Sequence, residues 1–230
     1  MKGWQKTSFI DFGERISSVF FYGGCNFRCP FCHNTDLVLN ANKLPEIVDH
    51  VAIEYLVKKK TLYDGVCISG GEPTLQNNLK DVLETIKENG FAVKLDTNGS
   101  RFDVLEGWIG AGLVDYVAMD IKTSYEKYPQ VISFGDPAEL LGNVKQTVQF
   151  LKTSGQVDYE FRSTVFPPYF EKSDLVGISE ILEGAKRYYL QQFSPRKTLG
   201  NTMGVDAFSE EKMEAIRNYF KPFVEVCEIR

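Results

Sequence analysis

The chain has 230 residues, enough for one substantial core and too few for two full domains, so a single domain over 1–230 is expected. Its hydrophobic fraction of 43% and charged fraction of 25% exclude a disordered chain, and a net charge of −5 gives no support to broad phosphate-driven nucleic-acid binding. Met1–Ser8 lacks the apolar stretch of a signal peptide. The longest compact apolar run, Val19–Tyr22, is far short of the roughly 20 residues of a membrane span. A cytoplasmic protein without a membrane partner is expected.

Strand-like and helix-like segments alternate along the chain. Six stretches rich in β-branched and aromatic residues read as strands: Ile16–Tyr22, Gly65–Ser69, Ala92–Leu95, Tyr116–Met119, Tyr159–Val165 and Tyr188–Phe193. Most are apolar on both faces, as strands of a helix-covered parallel sheet are. Helical patterns lie between and after them: Pro45–Lys60, with Pro45 in its first turn; Asn78–Asn89, stopped by Gly90; Phe102–Ala111; Ala138–Lys152; Asp174–Gly184, with Asp174 as its cap; and Ser209–Phe220. An extended tail, Phe223–Ile229, follows. A βαβ unit takes about 30 residues, and Ile16–Phe193 has room for six. The pattern predicts an α/β fold with parallel strands, a core over about 15–195 and a C-terminal extension over about 196–230. An open doubly wound sheet and a partial barrel are both compatible with it.

Polar residues and glycines gather just after the strands, at the edge where α/β folds bind ligands. These are Gly23-Gly24-Cys25, Ser69-Gly70-Gly71-Glu72-Pro73-Thr74, Asp96-Thr97-Asn98-Gly99, Asp120-Ile121-Lys122, Arg162, and Gln191-Gln192. Residues two apart on a strand share a face, so Asp120 and Lys122 are expected side by side. His50, among charged neighbours in a helix, is read as exposed and without a role. Thr123–Pro137 has no clear pattern and is read as a mobile loop, a lid or a docking surface.

Five cysteines are an odd number, and Cys25, Cys29 and Cys32 fall within eight residues. That is a poor disulfide framework and a good soft-metal loop. Three thiolates suit an iron–sulfur cluster with one open iron, or a zinc ion that lacks its fourth ligand. His33 directly follows Cys32 and is badly placed to share one tetrahedral ion with it. Cys67 and Cys227 read as small buried hydrophobes. Gly70-Gly71-Glu72 reads as a close backbone approach to a ligand, with Glu72 as acceptor for an ammonium group, or as a tight strand-to-helix turn.

The spacing Cys25-x-x-x-Cys29-x-x-Cys32, with Phe31 before the last cysteine, resembles the cluster motif of radical S-adenosylmethionine enzymes. Gly70-Gly71-Glu72 matches that family's second motif. Cys32-His33-Asn34, Gly70–Gln76, Lys94–Gly99, Asp115–Lys122 and Glu160-Phe161-Arg162 together resemble the activating proteins of anaerobic ribonucleoside-triphosphate reductase. Pyruvate formate-lyase activating enzyme is a more distant likeness. The resemblance implies a (β/α)6 partial TIM-type barrel. It implies a [4Fe–4S] cluster on Cys25, Cys29 and Cys32, with S-adenosylmethionine on the open iron. It places Phe31 and His33 against the adenine. Gly70, Gly71 and Glu72 hold the methionine amino group, and Lys122 meets the carboxylate. Asn98 and Arg162 join the cofactor contacts. Asp96, Thr97, Met119 and Asp120 form a candidate monovalent-cation site.

The implied activity is reductive cleavage of S-adenosylmethionine and formation of a glycyl radical on a partner, the anaerobic reductase, with flavodoxin or ferredoxin as electron donor. Alternatives are another glycyl-radical target, a small-molecule reaction of the 7-carboxy-7-deazaguanine synthase type, or a non-enzymatic metal or electron-transfer module. Two segments depart from the relatives. Asp11-Phe12-Gly13-Glu14 stands where Asp-Tyr-Pro-Gly is usual, and Gln191-Gln192-Phe193-Ser194 stands where pyruvate formate-lyase activating enzyme carries a histidine.

Overall fold

Eight strands form one sheet in strict chain order, and the computed structural model describes all residues 1–230. They are β1 (Gly3–Ser8), β2 (Ser17–Tyr22), β3 (Gly65–Gly70), β4 (Ala92–Thr97), β5 (Tyr116–Asp120), β6 (Asp158–Val165), β7 (Ala185–Gln192) and β8 (Val224–Ile229). β2 to β8 are parallel, and β1 runs antiparallel to β2. β1 and β8 do not pair with each other, so the sheet curls into a partial barrel and stays open.

The six expected strands are β2 to β7. The expected extended tail is β8, and only β1 was not foreseen. Gly3–Ser8 pairs with β2 despite its polar Gln5-Lys6-Thr7, because Trp4 packs on Tyr55 at 5.3 Å and donates to Ser18 Oγ at 2.8 Å. The tail pairs along β7 because the preceding helix carries the chain back, which makes it a seventh parallel strand.

The helices are α1 (Thr35–Leu39), α2 (Asp49–Lys58), α3 (Leu79–Glu88), α4 (Phe102–Gly110), α5 (Pro137–Thr153), α6 (Lys172–Leu182) and α7 (Glu210–Phe220). Buried Leu79, Val82, Leu83 and Ile86 form the stripe that seats α3 on the sheet. In α5, Pro137 opens the first turn and the Asp136 side chain accepts Ala138 N–H at 2.9 Å. Two boundaries differ from expectation. α2 starts at Asp49, so Pro45 lies before the helix. Asp174 is not the cap of α6 but sits one turn inside it, where its carboxylate accepts Glu171 N–H at 3.1 Å.

The strand faces are the informative part. Val66, Ile68, Val93, Leu95, Val117, Met119, Tyr159 and Phe161 are buried on one face. The alternate residues, Cys67, Ser69, Lys94, Asp96, Asp120, Glu160 and Arg162, line the other. That face is polar and charged, so these strands are not apolar on both sides. Lys94 and Glu160 are buried there at 3% and 2% exposure, and charges at that depth need partners.

Candidate cofactor site

A cavity of about 340 Å³ opens at the C-terminal edge of the strands. Its wall includes Cys25, Cys29, Phe31, Cys32 and His33 from the loop after β2, and Gly70 and Gly71 at the end of β3. Asp96 and Thr97 end β4 and Asn98 follows it, Asp120 ends β5 with Lys122 just beyond, and Arg162 comes from β6. All but two of the expected site residues thus meet at one mouth.

Glu72 and Met119 are the two that do not line it. Glu72 is completely buried, and both of its oxygens are engaged within the protein. Oε1 accepts from the Thr74 hydroxyl, from Thr74 N–H at 3.2 Å and from the Thr97 hydroxyl at 2.8 Å. Oε2 accepts Asn98 N–H at 2.7 Å. The carboxylate therefore ties the turn after β3 to the end of β4. Burial pushes its pKa up, and the hydrogen bonds only partly offset that. The Met119 side chain turns onto Gly99, whose φ of +75° and lack of a Cβ make room for it.

The cysteine loop is clamped from three sides. Arg28 N–H donates to Val131 O at 2.7 Å, and Phe27 bridges Ile132. Leu199 N–H and Gly200 N–H donate to Cys32 O and Pro30 O, both at 2.9 Å. The Thr123–Pro137 segment is packed at Thr123, Ser124, Tyr128, Val131 and Ile132, whereas Ser133–Pro137 is exposed. Its Tyr128 is fully buried and accepts Lys122 N–H at 3.2 Å, although Phe134 is exposed beneath the Arg28 guanidinium. Phe31 packs against Phe166 at 5.4 Å and Tyr169 at 6.0 Å. His33 is exposed, with Nδ1 3.4 Å from Lys197 O. His50 is exposed, and Cys67 and Cys227 are buried, all as expected.

Burial pushes the Cys25 thiol up to about 11 and the Cys29 thiol to about 12. Binding a metal centre would displace those protons, since the thiolate is the ligand. The three thiols line one wall without converging on a single-ion position. Three soft donors on one loop without a fourth ligand fit a cluster with an open iron better than one tetrahedral zinc.

An ionic network faces them. Lys122 Nζ donates to Asp120 Oδ2 at 2.9 Å, and Arg162 Nε to Asp120 Oδ1 at 3.1 Å. Arg162 Nη1 and Lys94 Nζ lie 3.3 and 3.4 Å from Asp96 Oδ1, and Ser69 Oγ donates to Asp96 Oδ2 at 2.9 Å. Burial alone would raise both carboxyls. Lys122 and Arg162 outweigh it at Asp120, as do Arg162 and Lys94 at Asp96, and hold both below the usual range. Asp96 Oδ1 is buried and is met by Arg162 and Lys94 alone, neither of them in hydrogen-bond alignment.

Three residues of this site fall within segments quoted above but carried no assigned role there. Asp11 reaches the wall from the β1–β2 loop, and its carbonyl takes the Lys94 ammonium. Asn34 Nδ2 donates to Gly70 O at 2.8 Å and so joins the cysteine loop to the glycine turn. Lys94 itself had a signal: a lysine set between Val93 and Leu95, two residues before Asp96.

The comparisons with known proteins agree with this geometry. The radical SAM superfamily model matches residues 19–173. A protein of Methanocaldococcus jannaschii, provisionally described as a glycyl-radical enzyme activating enzyme, is 34% identical over 92% of this chain and 83% of its own length. Pyruvate formate-lyase-activating enzyme of Clostridium pasteurianum is 26% identical over 93% of both chains. Among solved structures, Streptococcus suis SuiB bound to S-adenosylmethionine aligns with a TM-score of 0.67 at 11% identity, over 91% of this chain and 49% of that one. Native anSMEcpe with bound AdoMet aligns at 0.63 with 16% identity, over 92% and 63%. These two share the fold. The chain belongs to the radical SAM superfamily and, within it, to the glycyl-radical enzyme activating enzymes. It is therefore an enzyme of that kind, which sets aside the non-enzymatic metal module. The family implies a [4Fe–4S] cluster and S-adenosylmethionine as its cofactors. No helix is long and apolar enough to cross a membrane.

Proposed function

We propose that this enzyme installs a glycyl radical on a partner protein. The observation that carries the reading is one cavity with three thiols on one wall and Lys122 and Arg162 on another, at the open edge of the sheet. Cys25, Cys29 and Cys32 would hold the cluster. Bound together, the cluster and S-adenosylmethionine supply one-electron cleavage of the sulfonium and a carbon radical able to take hydrogen from a glycine Cα.

The chain's own part is to bind, orient and exclude water. Gly70 and Gly71 present main chain to the methionine amino group, with Glu72 as the brace beneath them. Lys122 and Arg162 would favour the methionine carboxylate, with Asn98 beside Cys25 as a further cofactor contact. Phe31 and His33 would take the adenine. A monovalent cation at Asp96, Asp120 and Thr97, to which Met119 would bring only its main-chain oxygen, rests on the family likeness alone and would have to displace Lys94 and Arg162 from Asp96 Oδ1.

The target we favour is anaerobic ribonucleoside-triphosphate reductase, on the motif likeness. The full-length match to a pyruvate formate-lyase-activating enzyme favours that lyase class as the second reading. Flavodoxin or ferredoxin is the electron donor we propose. Anaerobic mixing of the reduced, cluster-loaded enzyme with S-adenosylmethionine and each candidate partner tests the assignment. A glycyl-radical EPR doublet is expected with one of them, and its absence from all with a fully loaded cluster rejects the reading.

A further inference from the structure

Cys25 differs from the other two thiols in what surrounds its sulfur. Phe27 N–H donates to Cys25 Sγ at 3.3 Å, and Asn98 Nδ2 lies 3.9 Å from the same atom. The Asn98 amide is not free to turn over. Its Oδ1 accepts Ser100 N–H at 2.9 Å, and a main-chain donor can meet only the oxygen end. Nδ2 is thereby turned toward the cysteine loop, where one hydrogen meets Asn26 Oδ1 at 2.9 Å and leaves the second for the sulfur.

The support behind this amide is buried and charged. Asn98 is 5% exposed, and its N–H is held by the Glu72 carboxylate at 2.7 Å. Asn26 is fixed in turn, donating from Nδ2 to Ser100 Oγ at 2.8 Å. A continuous set of hydrogen bonds thus runs from Glu72 through Asn98 to Cys25.

We propose that Asn98 is a positioning residue that raises the reduction potential of the cluster through an N–H···S hydrogen bond to Cys25, with Glu72 holding it in place. Reduction adds negative charge to the cluster and its thiolates. A donor at one sulfur therefore stabilises the reduced state more than the oxidised one. The proposal rests on the cluster reading and is independent of which partner receives the radical.

The test is an EPR-monitored redox titration of the full chain, loaded anaerobically and free of S-adenosylmethionine. Wild type, Asn98→Ala, Asn98→Asp and a Cys67→Ser control are compared, with iron and sulfide analysis of each. Asn98→Ala removes the donor and is expected to lower the midpoint. Asn98→Asp is isosteric, keeps the acceptor for Ser100 and sets an anionic oxygen against the thiolate, so it lowers the midpoint further. Cys67→Ser leaves it unchanged. Midpoints equal to wild type in both Asn98 variants overturn the proposal. A weaker affinity for S-adenosylmethionine with an unshifted midpoint overturns it too, since Asn98 is then only a cofactor contact. Failure of both variants to hold a cluster also overturns it, since Asn98 then serves assembly. An EPR-silent wild type would instead count against the cluster reading itself.

Discussion

Arg162 and Asp120 are register partners on neighbouring strands β6 and β5, and their side chains meet at 3.1 Å between Nε and Oδ1. The same guanidinium reaches Asp96 one strand further on, at 3.3 Å. One planar cation thus spans two carboxylates across three strands. Arg162→Met leaves both carboxylates with only Lys94 and Lys122 as counter-charges. It should cost about 3 kcal/mol of stability in urea unfolding of the cluster-free protein. Arg162→Lys should cost less, but one ammonium cannot span both acids. S-adenosylmethionine affinity should then fall about tenfold, equivalent to about 1.4 kcal/mol, as read by equilibrium binding to the loaded enzyme.

The same pairing predicts an acid limb in the stability profile. Asp96 and Asp120 titrate below their unfolded value of 3.8. Their contribution is therefore fully present above that pH and is lost as the pH falls through their lowered folded values. Unfolding of the cluster-free protein across acid pH should show this loss, and Arg162→Met should move its onset to higher pH. Superimposable limbs for the two proteins would remove the ion pairs as its cause.

The five cysteines should separate into three and two. Cys29→Ala is expected to abolish bound iron after anaerobic reconstitution. Cys67→Ala and Cys227→Ala are each expected to keep wild-type iron and lose about 1–2 kcal/mol of stability, as small cavities in buried positions do. Iron and sulfide analysis beside denaturation curves tests both halves.

Glycines of this chain should respond in opposite directions to the same substitution. A Cβ on Gly71 would lie 1.9 Å from the carbonyl oxygen of Gly24, backbone against backbone. Gly71→Ala should cost at least about 3 kcal/mol and open the turn beneath the cavity. Gly142, inside α5, would meet nothing within 4 Å. Gly142→Ala should raise stability by about 0.5–1 kcal/mol. Thermal unfolding of the two variants against wild type gives the comparison.

Loss of the Glu72 charge should be felt in the fold before the chemistry. Glu72→Gln keeps the shape but turns an amide N–H₂ toward one of its two sets of donors. A cost of about 2–3 kcal/mol is expected, consistent with the loss of charge-assisted hydrogen bonds in a buried site. If stability is unchanged in denaturant titration, Glu72 is not the brace described above.

Much of the architecture was legible because it rests on local pattern. The stripe Leu79, Val82, Leu83 and Ile86 marks α3 without any tertiary information, and the apolar cores of β3 and β5 mark those strands. β1 was not legible as a strand, and of β8 only the extended course was legible, not its place beside β7. Each takes its pairing from the edge that a neighbouring strand offers. The charged face of the barrel was hidden for a related reason. The two-residue spacing of Lys94 and Asp96, and of Glu160 and Arg162, puts each pair on one side of its strand, but nothing local says that β4, β5 and β6 turn those sides together.

The amino-acid sequence by itself determined the cysteine triad, the glycine turn, the six parallel units and the edge on which they converge. Spacing along one loop and periodicity along one element are local properties of the chain. Tertiary structure alone decided that Glu72 faces inward as a brace, that Met119 turns away, and that Asn98 points its amide at Cys25. Those outcomes depend on strand register. A shift of one residue reverses the face on which each side chain stands, and register is set only when neighbouring strands pair.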